Sequence, residues 1–509
     1  MSQMIAKRIA IIDLGSNTAR LIVMQAVTGY SYRLVDELRE VVRLRQGMNA
    51  DGMRPDAVAR AFSALRLFKQ FCDHTAVDQI YAVATSAVRE ARNGAAFLQQ
   101  VRDEIGLDLQ VIDGQQEAEL GVIGALNEWP MTDGYVLDIG GGSAQVSRVV
   151  QRRFLAGESV LLGALALTER CVQNDPVKAS DLKRLRREIK TALGTLSFPR
   201  GSGVALLGIG GTIRNLADIE IARLAAYPLN TLHGFELTRN SVRHSIAQFV
   251  ELPLARRTQI RGLKNDRADI ILAGAMVVDA VLDYFDLDRL TVSLSGVREG
   301  LFATHFWGQL VYPVIPDVRH FSVVNLARAY EYHSGHANHV RGLCLRMFDQ
   351  LLPLHGFGEA ERDLLAAAAL LHTIGTAVSY TDYHKHSQYL IVNNGLAGYT
   401  PRETAIIALL ARYHRKGQPT GGELNNLLNK SDEELVARLT AVLRTAAALE
   451  RGRSGVVRDV VLAWDDADMR VTVVTDGDPS VALWSAAQNA TGLLEKAFNR
   501  RVVWETRPV

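Results

Sequence analysis

The residues best placed to do chemistry occur as a repeated pattern. Ile11-Ile12-Asp13-Leu14-Gly15-Ser16-Asn17-Thr18 and Val136-Leu137-Asp138-Ile139-Gly140-Gly141-Gly142-Ser143 each run from an apolar stretch into Asp-x-Gly and a small-residue turn, and apolar residues resume beyond it, Leu21 to Met24 and Val146 to Val150. Each reads as strand, tight turn, strand. Glycine permits positive φ and close backbone approach, so successive N–H groups can converge on an anion. Two such hairpins facing one another would grip adjacent phosphates of a chain or of a nucleotide. Ser16, Asn17 and Thr18 in one turn, and Gly141, Gly142 and Ser143 in the other, would bind phosphate oxygens through N–H and hydroxyl groups. Asp13 and Asp138 are candidate ligands for Mg2+, partly through water, because that ion keeps much of its hydration shell. The alternative for each Asp is to accept hydrogen bonds from its own turn.

The elements that must hold these turns follow from the punctuation of the chain. Residues 1–125 read as an α/β layer domain: the first hairpin, a turn at Asn49 to Gly52, an amphipathic helix from Asp56 to Phe71 and a strand at Ile80 to Ala84. After a break at Trp129 to Gly134, residues 126–310 repeat that outline, with the second hairpin, a basic helix from Ser180 to Leu196, a strand at Val204 to Leu207 and a final strand at Leu290 to Leu294. Val83 to Arg89 and Leu207 to Arg214 match as strand, small-residue turn and helix start with an Arg in the first turn, and a helix N-terminus is an anion site. Gly210, Gly211 and Thr212 would either carry phosphates or let a helix pack closely on a sheet. Tyr312 to Pro316 reads as a linker. Residues 311–450 read as all-α, rich in Ala, Leu and clustered histidines, and residues 451–509 as a small α+β domain.

Length and composition restrict the partners. A chain of 509 residues exceeds one core and predicts three or four domains. Its net charge of +2 gives no reason to expect nucleic acid. The run Lys183-Arg184-Leu185-Arg186-Arg187 reads first as a solvated helix face. Cys72, Cys171 and Cys344 lie too far apart for a disulfide framework or a thiolate metal site and read as buried small residues. No signal core and no membrane-spanning run is present, which predicts a cytoplasmic protein.

Together, the two Asp-x-Gly turns, Thr85 to Glu90, Gly114-Gln115-Gln116-Glu117-Ala118, Gly208 to Thr212, Ser295 to Gly300 and the stretch from His384 to His414 resemble the exopolyphosphatase / guanosine pentaphosphate phosphohydrolase (Ppx/GppA) family over nearly the whole chain. The resemblance implies two actin/Hsp70/sugar-kinase-like (ribonuclease H-like) domains, then an all-α HD-like domain and a small α+β C-terminal domain. It implies that Glu117 orients or deprotonates the attacking water. Many relatives carry a second acidic residue where this chain has Gln116. It also places Arg20 and Arg89 at the phosphates, with Arg267 and Arg298 as further candidates, since a guanidinium can bridge two phosphate oxygens.

The implied activity is Mg2+-dependent release of terminal phosphate from polyphosphate, with hydrolysis of guanosine pentaphosphate to the tetraphosphate as the alternative. An actin-like nucleotide switch and a sugar kinase are remoter readings. K+ is a candidate activator, a homodimer the implied assembly, and peripheral membrane association is left open. An HD hydrolase needs a His-Asp pair; here His372 is followed by Thr373, so no catalytic metal is expected in the helical domain. Its histidines are expected to satisfy buried hydrogen bonds or line a groove for polyanionic substrate. His384-Lys385-His386 and His414-Arg415-Lys416 are expected to add positive charge to such a groove.

Overall fold

The fold is that of a computed structural model describing residues 5–201, 203–224 and 227–509. Contacts divide it into two compact units, Met1–Ala226 with Leu232–Val318, and Tyr227–Thr231 with Arg319–Val509.

In the first unit, five strands form one sheet, β1 (Lys7–Leu14), β2 (Thr18–Val27), β3 (Ser31–Val41), β4 (Gln79–Ala84) and β5 (Leu109–Val111), in the order β3-β2-β1-β4-β5. The second sheet contains β6 (Gly134–Ile139), β7 (Ala144–Val150), β8 (Arg153–Val160), β9 (Ala205–Ile209), β10 (Glu236–Thr238) and β11 (Arg289–Val292), in the order β10-β11-β9-β6-β7-β8. In both sheets, two antiparallel hairpin connections are followed by parallel crossovers, so β6-β7-β8 with β9 and β11 retraces β1-β2-β3 with β4 and β5. The duplication therefore extends from the turns to the sheets. These are the paired α/β domains of the actin-like fold, with the Asp-x-Gly turn at the same end of each sheet.

Two helices between the sheets set the site. Helix Gly114–Glu128 starts at Asp113, whose carboxylate accepts from Gln116 N (2.8 Å) while Gln116 returns a bond from Asp113 N (3.0 Å). Gln116 thus closes a capping box, which gives it a structural role here. Helix Val297–Phe306 crosses the first helix at glycines: a Cβ on Gly300 would collide with Leu120 O, and one on Gly124 with Gly296 O. That close crossing brings Glu117, in the first turn of one helix, and Arg298, in the first turn of the other, to the same place. The segment expected to be a linker is tied down instead. Asn127 donates to Pro313 O (2.7 Å) and accepts from Ile315 N (3.0 Å), and Arg152 donates to Ile315 O (3.0 Å).

The second unit joins helices between Val318 and Leu449 to the sheet of β12 (Val457–Trp464), β13 (Asp468–Thr475) and β14 (Arg501–Pro508), all around one apolar core. Residues 451–509 share that core rather than forming their own. The helix expected from Ser480 to Phe498 is two, Ser480–Asn489 and Thr491–Phe498. All three cysteines are buried and free. No described helix is long and apolar enough to cross a membrane.

Candidate active site

The two turns meet tip to tip. Each is closed by one backbone bond, Gly15 N to Thr18 O (3.0 Å) and Gly140 N to Ser143 O (2.9 Å). A Cβ on Gly141 would lie 3.2 Å from Asn17 Cβ, a tight contact that shows how closely the second turn approaches the first. Between them lies a cavity of about 120 Å3 lined by both turns, Asp13, Asp138 and Glu117. Ser16 Oγ and Ser86 Oγ are 2.9 Å apart, and Gln145 donates to Ser143 Oγ (3.0 Å). Both side-chain polar atoms of Asn17 are buried without a partner, as is Asp13 Oδ1. Orphaned polar atoms at the tip of a turn are costly unless a ligand completes them.

Glu117 carries the most informative electrostatics. Burial pushes its carboxyl up to about 7; the guanidinium of Arg89 opposes that shift, and the charges of Asp138 and Asp13 reinforce it. Arg89 Nη1 approaches Glu117 Oε2 (3.3 Å) and donates to Ile112 O (2.7 Å). Burial also raises Asp13 and lifts Asp138 to about 6, with Arg214 opposing and Asp13 adding in the latter case. Two desolvated carboxylates with an orphaned oxygen fit a divalent ion completed by water and phosphate oxygens. Among the described residues, no group of three or more His, Cys, Asp or Glu side chains forms a closed metal cage.

Arginines line the same space. Arg20 makes no ion pair with any described residue; burial lowers its pKa to about 9, and the neighbouring Arg214, Arg298, Arg267 and Arg39 push the same way. Arg267, 8 % exposed, is lowered to about 10 by burial, and its guanidinium lies where a side chain on Gly211 would be. Arg298 is buried, 3.3 Å from Glu299 and 3.7 Å from Glu37. Guanidinium groups crowded together at the lining, only Arg298 among them in an ion pair with described residues, make a site for a polyanion.

Most residues singled out from the sequence line this cavity, with two exceptions. Arg89 is not among the lining residues; it stands beside Glu117 and is that carboxylate's ion-pair partner. Thr212 is buried with its side chain against Gly274 and off the cavity, so this position serves helix packing rather than phosphate. Gly210 and Gly211 remain at the lining. Gly210 has φ +88°, and a Cβ there would collide with Asp138 Oδ1. Sequence reasoning passed over Arg214, half-buried at the cavity, where it donates to Gly210 O (3.2 Å) and Leu294 O (3.3 Å). The signal was present, since Arg214 is the repeat's counterpart of Arg89.

The model of the Ppx/GppA phosphatase family matches residues 22–306, and that of the family's domain III matches residues 318–474. The chain belongs to the Ppx/GppA phosphatase family. It resembles the crystal structure of the Aquifex aeolicus Ppx/GppA family member at 29% identity, over 58% of this chain and 97% of that one, with a TM-score of 0.51. A crystal structure of an exopolyphosphatase from Cytophaga hutchinsonii matches at 26% identity, over 59% of this chain and 98% of that one, with a TM-score of 0.55.

Domain III of this Ppx/GppA chain corrects one expectation. His384 is fully buried with neither ring nitrogen bonded, and burial lowers it to about 4; burial also pushes His414 well below its usual value. Neither imidazole supplies positive charge near neutral pH. Lys385 (2.7 Å) and Lys416 (3.1 Å) are both paired with Asp382.

Proposed function

We propose that this protein is an exopolyphosphatase that hydrolyses the terminal phosphoanhydride of inorganic polyphosphate in the cleft of its first unit. The observation that carries the reading is Glu117, a carboxyl lifted to about 7 at the edge of a cavity that also holds two desolvated aspartates and a cluster of arginines. A base works best with a pKa near the working pH. As the carboxylate, held by Arg89, Glu117 takes the proton of the water that attacks the terminal phosphorus. Arg20, Arg214, Arg267 and Arg298 then stabilise charge on the transferred phosphoryl oxygens, where positioning and electrostatics supply most of the acceleration. The turn N–H groups at Gly15 to Thr18 and Gly140 to Ser143 hold the phosphates that do not react.

Asp13 and Asp138 would hold Mg2+, which supplies a further positive charge on the phosphate oxygens. The family resemblance also brings K+ as an activator and a cytoplasmic homodimer, to be checked by potassium titration and sedimentation. Thr373 lacks the anionic oxygen of a His-Asp metal pair, so the HD-like helical region takes no catalytic metal in this reading. Phosphate release from long-chain polyphosphate and from guanosine pentaphosphate, assayed in parallel with Mg2+ and with ATP as control, tests the function. Higher kcat/KM on polyphosphate supports it; higher kcat/KM on the guanosine nucleotide moves the protein to alarmone hydrolysis.

A further inference from the structure

The second unit contains a cavity of about 190 Å3 whose chemistry the phosphatase reaction does not use. Arg415, Arg444 and Arg451 line it together with Tyr383, His414 and Trp484, and no Asp or Glu is among its lining residues. Arg444 is only 6 % exposed. Its Nε and Nη2 donate to the carbonyls of Tyr413 and Gly417, which caps the end of helix Pro401–Tyr413, while none of the described residues bonds its Nη1. Burial alone depresses its pKa, with no carboxylate opposing it. A buried guanidinium without an anion is costly, and the helix dipole offsets only part of that cost.

The other two arginines are just as unpaired. Arg415 lies over the rings of Tyr380 (5.6 Å) and Tyr383 (5.0 Å), and Arg451 reaches only the hydroxyl of Tyr380 (3.4 Å). The nearby acids are engaged elsewhere. Asp382 is paired with Lys385 and Lys416, and Glu450 lies against His339 (3.5 Å) and accepts from Gly455 N (3.1 Å). At the cavity wall, Trp484 is 62 % exposed, unusual for the largest apolar side chain. His414 gives its Nδ1–H to Ala411 O (2.7 Å) and pairs through Nε2 with Tyr383 OH (3.2 Å), so the inner wall is neutral and its orientation fixed.

We propose that this cavity is a second ligand site, for a nucleoside phosphate whose phosphates lie among Arg415, Arg444 and Arg451 and whose base stacks on Trp484. The cavity is smaller than the roughly 300–1,000 Å3 of pockets that enclose a whole drug-sized ligand, which suits phosphates inside and a base at the mouth. A bare phosphate chain would leave the indole without a partner, whereas a base has a π-face for it. Without carboxylates, the site needs no divalent ion, unlike the cleft of the first unit.

The test is titration of the full-length protein with ADP and GDP in EDTA, followed by calorimetry and tryptophan fluorescence, with pyrophosphate and long-chain polyphosphate as further arms. Arg451 and Trp484 are exposed, so Arg451→Glu and Trp484→Ala should leave thermal unfolding unchanged. The expected result is binding of a nucleoside diphosphate without metal, weakened about tenfold or more by Arg451→Glu and at least about fivefold by Trp484→Ala. Arg267→Ala in the cleft should leave it unchanged. Absence of metal-free binding at millimolar nucleotide overturns the proposal, as does binding lost in Arg267→Ala but kept in Arg451→Glu. Pyrophosphate or polyphosphate binding as tightly as the nucleotides, with indifference to Trp484→Ala, also overturns it.

Discussion

Two regions of this molecule draw ionisable groups out of water and treat them in opposite ways. In the cleft of the first unit, burial raises Asp13, Asp138 and Glu117, arginines crowd beside them, and Asp13 Oδ1 and the Asn17 amide have no partners among the described residues. In the helical part of the second unit, burial holds His336, His372 and His414 in their neutral forms, and His372 and His414 each give Nδ1–H to a carbonyl three residues back, Ala369 O and Ala411 O, both at 2.7 Å. Desolvation by itself therefore does not mark a reaction site. What marks it is charge of both signs left unmet, which a phosphorylated substrate and its cation would complete.

The largest effect expected from that contrast is at Glu117. Glu117→Gln keeps the shape and removes the proton acceptor, so kcat should fall about 10^3-fold while KM stays within a few-fold. Steady-state phosphate release measures both. A variant within tenfold of the parent rate would mean that the raised carboxyl is a bystander and that the cleft resembles the histidine cluster after all.

Asp138→Asn comes next and has two readouts. Loss of an anionic oxygen for Mg2+ should lower kcat/KM about a hundredfold at fixed magnesium. The ligand-free protein should become more stable, because the variant no longer buries a repelled charge beside Asp13. A lower melting temperature would show that Asp138 serves its own turn structurally.

Arg214→Gln sharpens the contrast at a smaller scale. This guanidinium is half-buried, donates to two carbonyls and makes no ion pair with any described residue, so its charge is free for the substrate. Removing it should cost roughly tenfold or more in kcat/KM, the value of a charge-assisted hydrogen bond. An unchanged kcat/KM in a folded variant would reassign Arg214 to holding the 208–210 and 294 segments together.

How much of this was legible beforehand depends on distance along the chain. The hairpins could be read because an apolar run, Asp-x-Gly and a second apolar run are local signals, and the structure extends them to whole sheets. Strand β3 could not be read, because it is an edge whose central residues, Arg33 to Glu37, face solvent and show no alternation. The pairing of Arg39 with Asp266, 227 residues apart, leaves no local trace, yet it helps to hold the segment that carries Arg267. Glu117 was reached through family resemblance, since a lone acidic residue in a first helical turn usually only complements the dipole. Thr212 was left open between phosphate and packing, because a Gly-Gly-Thr turn looks the same whether its threonine faces a ligand or, as here, the glycine of a neighbouring helix.

The smallest expected effect is on stability, and there the two regions should move in opposite directions with pH. Glu117, at about 7, and Asp138, at about 6, hold protons more tightly folded than unfolded, so the first unit loses stability as pH rises from about 4.5 through 7. The histidines go the other way. His372, at about 3, and His384, at about 4, bind protons more readily unfolded, so the second unit loses stability as pH falls below about 6.5. Each full unit of pKa difference is about 1.4 kcal/mol, enough to move a transition by a few degrees. Hydrogen exchange in the ligand-free protein at pH 5 and pH 7.5 would resolve it. At the lower pH, β6 and the helix from Gly114 should be better protected, and the helices Glu359–Leu371 and Pro401–Tyr413 less. Carrying Glu117→Gln should flatten the first response and leave the second alone. Parallel movement of both regions would show that the uncompensated charge in the cleft is relieved within the protein itself, and that the two regions differ less than their geometry indicates.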